Sequence, residues 1–357
     1  MSTAIAISRD KKLAKALRAG LLKGADEVTT ATNVDSIPKN GKATLLAVHV
    51  DKNAEQQIRT CLARLPNDAK LIVVVPKSQL RAIATALQTS AQVCAVVTVD
   101  RATKATMSRV AAGLAHGDVF GLGRFLPDDS EVHSAVLGSY ADKEACLEQL
   151  EAFAKTNQIR AKYRDAILQC TDEMLMNALY IAPREATTTS QIQLTNDKQS
   201  LVARAQRSVE VEYALTDKSM WVCVRDQYGS VQRRNLLDQW EETVIAHEDA
   251  SDTGDHALGI YIMSNASTSM HVHLAPGVAT EFVCSFDLKA AKLQLRELEI
   301  VEEQDAGRIA ELKTARQLTA ETSFADPSEG DSRSPIFLVA AVLAVVVAIL
   351  VVALLLN

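Results

Sequence analysis

The sequence predicts a doubly wound α/β domain, then an α+β domain, then a membrane-spanning helix near the C-terminus. Three observations carry this. Apolar runs alternate with helical patterns over residues 1–125. Helices and paired strand signals fill residues 151–288. An uninterrupted apolar run, IFLVAAVLAVVVAILVVALLL, occupies residues 336–356.

The first strand is TAIAIS (3–8), and DKKLAKALRAGLLKG (10–24) repeats its leucines at helical spacing. EVTTAT (27–32) is a β-branched run. ATLLAVHV (43–50), KLIVVV (70–75) and QVCAVVTV (92–99) are continuous apolar runs, as in strands covered on both faces. Helical patterns at 53–65, 78–88 and 102–115 separate or follow them. Such alternation predicts a parallel sheet of about five strands. Residues 126–150 read as a polar connector, and a long helical region over 143–181 leads into the second domain. SVEVEYAL and SMWVCVRD, joined by TDKS, read as an antiparallel hairpin. A helix over 230–244, a polar stretch, a helix from 258 and two strands (269–276, 279–286) complete that domain. Residues 289–335 read as a charged helix followed by a stalk of disordered composition.

Bulk properties narrow the function. The 357-residue chain carries a net charge of −6 and no dense basic stripe, so a nucleic-acid partner is not expected. Six scattered cysteines without a C-x-x-C pair argue against a zinc ribbon and for reduced thiols. The run at 336–356, about 21 residues rising about 1.5 Å each, matches a bilayer core of about 30 Å. Arg333 precedes it and no basic residue follows. A single-pass anchor in the cytoplasmic membrane is expected, with the soluble domains in the cytoplasm.

Three pieces of the second domain stand in a telling order. Glu173 and Asn177 lie four apart, on one face of a largely apolar helix. Asp226 and Gly229 close a strand in the stretch VRDQYG, and GDHALG (254–259) leads into a helix. Over about residues 150–288 this order resembles the GHKL ATPase superfamily, a Bergerat-type HATPase sandwich, and within it the anti-sigma-factor serine kinases. The resemblance implies ATP and Mg²⁺ as cofactors and a bacterial signalling role, with serine/threonine kinase activity on a protein partner of the sigma-factor-regulator kind. A homodimer is compatible with it.

By resemblance, Asn177 supplies a hard oxygen to Mg²⁺ and Glu173 is the catalytic base. Asp226 accepts from the adenine amino group, Gly229 leaves room for the base, and Thr280 lies near the adenine. Gly254, Leu258 and Gly259 belong to the ATP lid, where backbone amides approach phosphate. The lid departs from the family's G-x-G-L-G: Asp255 and Ala257 replace glycines, and Gly254 is displaced by one place. A catalytically inactive adaptor therefore stands as the alternative.

Residues 1–125 resemble the receiver domain of response regulators in order and length. That site needs an acidic pair, a phosphoacceptor Asp, a hydroxyl and a Lys. Here Asp10 stands alone after the first strand, Asp51 follows the third, and Pro76 replaces the hydroxyl. The expectation is a pseudo-receiver in which Asp51 is not efficiently phosphorylated by small phosphodonors. His271 and His273 project to one side of a strand and read as an exposed face. Gly117, Gly121 and Gly123 read as a loop.

Overall fold

The structure, a computed structural model, describes residues 2–37, 42–50, 53–76, 87–88, 90–117, 120–138, 140–182, 208–249, 255–303, 305 and 307–312. Five parallel strands open it: β1 (Thr3–Ile7), β2 (Glu27–Ala31), β3 (Leu45–His49), β4 (Lys70–Val75) and β5 (Val93–Thr98). Their order is β2-β1-β3-β4-β5. Alternate side chains serve opposite faces. Ala4, Ala6, Ala47 and Val74 receive α1 (Lys11–Leu21) and α3 (Lys104–His116) on one side. Ile5, Ile7, Leu46 and Val48 receive α2 (Ala54–Leu62) on the other. The chain therefore leaves β1 over one face, and after β3 covers the opposite one.

Asp10 caps α1: its carboxylate accepts the Lys12 and Leu13 amides at 2.8 and 2.9 Å. Those bonds hold its carboxyl below the ordinary range. The acidic residue that resembles half of a receiver's metal site is thus a helix cap. Asp51 lies outside the described residues.

The second half is antiparallel. β6 (His133–Leu137), β7 (Val209–Leu215), β8 (Ser219–Asp226), β9 (Ser269–Ala275) and β10 (Ala279–Asp287) take the order β9-β10-β8-β7-β6. Over one face pack α4 (Tyr140–Thr156), α5 (Ala161–Met176), α6 (Arg233–Asp249) and α7 (Asp255–Ala266). Two expectations are corrected here. The polar connector contains β6, which pairs with β7 despite an exposed, mixed composition. The long helix over 143–181 is two helices, broken where Gln158 adopts φ 56°.

A third correction changes the architecture. The charged segment after 288 holds a strand, β11 (Glu297–Glu302), which lies antiparallel to β5 and parallel to β9. It fuses both halves into one 11-stranded sheet. Its glutamates suggested a solvated helix, yet Glu297 and Glu299 are fully buried and ion-paired. All these elements belong to one compact unit, Met1–Ala310. The expected membrane span at 336–356 lies outside the described residues. Among the described residues no helix is long and apolar enough to cross a membrane.

Candidate functional site

The site begins on α5. Its buried side carries Ile167, Cys170, Met174 and Leu175, which leaves Asp172, Glu173 and Asn177 partly accessible. At Asn177 the helix widens into a π turn, Asn177–Ile181. Such turns are rare and recur at functional positions. Burial pushes the Glu173 carboxyl up, helped by the neighbouring Asp172 carboxylate. Lys143 opposes that rise and is itself ion-paired with Asp172. Gly259, in α7, lies against Glu173: a Cβ there would sit 2.8 Å from Oε2.

Asp226 ends β8 and is buried. Its Oδ1 accepts the Tyr228 amide at 2.7 Å and the Gly229 amide at 3.1 Å. Burial nevertheless pushes its carboxyl up to about 6. Thr280 is its cross-strand partner on β10 and is equally buried.

Asn177, Asp226 and Ile260 line one cavity with Ala178, Asn235 and Gln239. Three of the expected pieces therefore converge: the α5 face, the β8 end, and the start of the stretch after the lid. Its volume is about 40 Å³, whereas ligand pockets run to about 300–1,000 Å³. An amide oxygen and a carboxylate are hard acceptors, which suit a Mg²⁺ ion or an amino donor. The volume does not accept a nucleotide in this conformation.

Other expected residues have different surroundings. Gly229 has φ 59°, and a Cβ there would lie 2.3 Å from the Ala275 carbonyl oxygen and 2.5 Å from the Val278 nitrogen. The room it leaves is filled by the β9–β10 turn. Gly254 lies outside the described residues, and Leu258 is placed in α7 by its backbone alone. His271 and His273 are wholly buried, which corrects the exposed-face reading.

Those histidines belong to an ion network that the sequence did not reveal. His271 Nδ1 meets Glu299 at 3.1 Å, and Arg124 donates to Glu299 at 2.6 Å. Arg109 pairs with Glu297. His273 meets Glu281 at 2.8 Å, and Glu281 also accepts the Gly121 amide at 2.8 Å. Both guanidiniums lie over the Phe125 ring, that of Arg109 5.0 Å and that of Arg124 4.6 Å from its centroid. His271, Glu297 and Glu299 could together offer three metal-ligand atoms. Two arginines already neutralise those carboxylates, so the arrangement is an ion network closed on itself. Burial pushes His271 down to about 4 and keeps it neutral. The six cysteines are all free and buried.

A scan against protein-family models finds no match, and a search of curated proteins finds none either.

Proposed function

We propose that this chain is a membrane-tethered signalling protein whose second half is a HATPase-like module that binds ATP with Mg²⁺ between α5, the end of β8 and α7. The single observation that carries this is the meeting of Asn177 and Asp226 at one cavity, from segments far apart in sequence. Helices over one face of a mixed sheet, with a π turn opening at Asn177, add support. In this reading Asp226 and Thr280 receive the adenine, Asn177 ligates Mg²⁺, and Glu173 acts as base towards a hydroxyl of a protein partner. The β2-β1-β3-β4-β5 half is a receiver-like regulator without phosphoryl chemistry. The apolar run at 336–356 tethers the whole to the cytoplasmic membrane.

The cavity volume favours a second reading, an adaptor that keeps the fold without nucleotide. For ATP to enter, Ile260 and the Asn235–Gln239 face of α6 must move away from β8. ATP titration of the full chain in detergent distinguishes the two. Asp226→Asn is expected to weaken binding by about one to two decades, the value of a charge-assisted hydrogen bond. Asn177→Ala is expected to remove only the Mg²⁺-dependent part. Glu173→Ala is expected to spare binding and abolish turnover. If the parent shows no saturable ATP binding, the adaptor reading replaces the first.

A further inference from the structure

A second cavity, of about 390 Å³, lies in the first half of the sheet, well within the range of ligand pockets. It is lined by Ile7 and Arg9 after β1, by Thr32 to Asp35 after β2, by His49 at the end of β3, and by the first turns of α2. Its place follows from topology. From β1 the chain goes through α1 to β2 on one side, and β3 then lies on the other side of β1. The first connecting helix covers one face and α2 the other. Connections diverging in this way open a crevice outside the carboxyl ends of the strands, the usual ligand position in open α/β sheets. Between β2 and β3 only a short 3₁₀ turn, Val34–Ser36, is described, and it forms the outer wall.

The lining chemistry selects an anion. Arg9 makes no hydrogen bond or ion pair among the described residues, and neither does the Gln56 amide. The Asn33 carbonyl oxygen accepts the Ser36 amide at 3.0 Å and the Ser36 hydroxyl at 2.9 Å. Those bonds leave its NH₂ as the free end. Three donors thus face the cavity, one of them charged. Among the described residues, the one acid in the lining is Asp35, and it is engaged: Arg64 donates to its carboxylate at 3.2 Å and to its backbone carbonyl at 2.5 Å. Glu55, nearby on α2, is held by Arg59 at 2.9 Å. The α2 N-terminus opens alongside, and its N-cap residue Asn53 makes no side-chain capping hydrogen bond. Ile7 and Val34 supply apolar wall, and the Thr32 and Thr60 hydroxyls supply further polar partners.

We propose that this crevice binds a small phosphorylated molecule. Its phosphate sits at Arg9, and its hydroxyl-bearing body lies against Asn33, Gln56 and Thr60. The site shares no residue with the nucleotide reading, and it stands or falls separately from that reading.

The test uses the full chain in detergent and three probes: inorganic phosphate, ribose 5-phosphate and unphosphorylated ribose. Binding is followed by calorimetry and by backbone amide shifts. The expected result is saturable ribose 5-phosphate binding, tighter than inorganic phosphate, no ribose binding, and shifts at residues 7–9, 32–35 and 53–60. Arg9→Gln is expected to weaken it by about tenfold or more. Gln56→Leu should weaken it less, and Asp226→Asn should leave it unchanged. Absence of saturable binding overturns the proposal. So does equal affinity for the two phosphates, or binding that Asp226→Asn removes and Arg9→Gln does not.

Discussion

At the scale of single residues, Asp226 and His271 oppose each other in their response to pH. The Asp226 carboxyl is raised from 3.8 to about 6 by burial. Between those values the folded state holds a proton that the unfolded state has lost. Asp226 therefore lowers stability as pH rises through that window, by on the order of 2–3 kcal/mol in full. His271 is lowered from 6.5 to about 4. Its contribution is present above pH 6.5 and is lost as pH falls towards 4, because only the unfolded chain takes up the proton. Asp226→Asn should therefore stabilise the protein at pH 7.5 and steepen its loss of stability between pH 6 and 4. His271→Gln should flatten that loss. Urea denaturation at several pH values checks both. A less stable Asp226→Asn at pH 7.5 would show that the ionised carboxylate is held by its amide donors better than burial penalises it. With the ATP titration, this separates the residue's cost to the fold from its use in binding.

At the scale of elements, two glycines fix close approaches. In α1, a Cβ at Gly20 would lie 2.3 Å from Cβ of Met107, so α1 and α3 are in backbone-close contact. Gly20→Ala should destabilise by about 1–3 kcal/mol through overpacking. Met107 is wholly buried, but Met107→Gly removes the nearest clashing atom and leaves the Met107 carbonyl carbon at 2.9 Å, so the double variant should lose less than the sum of the two singles. Thermal denaturation of the cycle measures this, and simple additivity would mean that the helices separate without cost. Gly229 is less forgiving, since a Cβ there meets backbone on the β9–β10 turn and φ is positive. Gly229→Ala should cost about 2 kcal/mol or more. By contrast, the group facing Gly259 is the tip of the Glu173 side chain, which can swing aside. Gly259→Ala should thus change stability little while displacing the Glu173 carboxylate, and if turnover exists it should fall more than ATP affinity.

At the scale of the whole molecule, β11 is the seam. It closes the free edge of β5 and the free edge of β9 at once. Arg233 pins the same joint, donating to Val93 O at 2.6 Å, Ile300 O at 2.8 Å and Leu87 O at 3.4 Å. Arg109 and Arg124, from the first half and the segment after it, reach the glutamates of β11. Residues 1–312 should therefore unfold in one cooperative transition. A chain ending at residue 290 leaves two long apolar strand edges exposed, and should aggregate or split into two transitions. Calorimetry and light scattering of the two truncations decide. One transition in a soluble 1–290 chain would mean that the halves are coupled elsewhere.

The sequence by itself determined the elements whose pattern is local. Continuous apolar runs marked β3, β4 and β5, because strands covered on both faces need apolar residues at every position. The i, i+4 spacing put Glu173 and Asn177 on one face of a helix, and the geometry of that helix is a property of the chain itself. Only the tertiary structure decided what surrounds those positions. β6 and β11 are not legible in the sequence, because their charged and polar residues signal solvent. Whether a glutamate faces solvent or an arginine from a residue 175 or more positions away is not written in its neighbours. The burial of His271 and His273 depends in the same way on residues 120–126 crossing the outer face of their strands. Gly229 shows the same limit: its sequence context signals a glycine, but the backbone it makes room for belongs to a turn that only folding brings there.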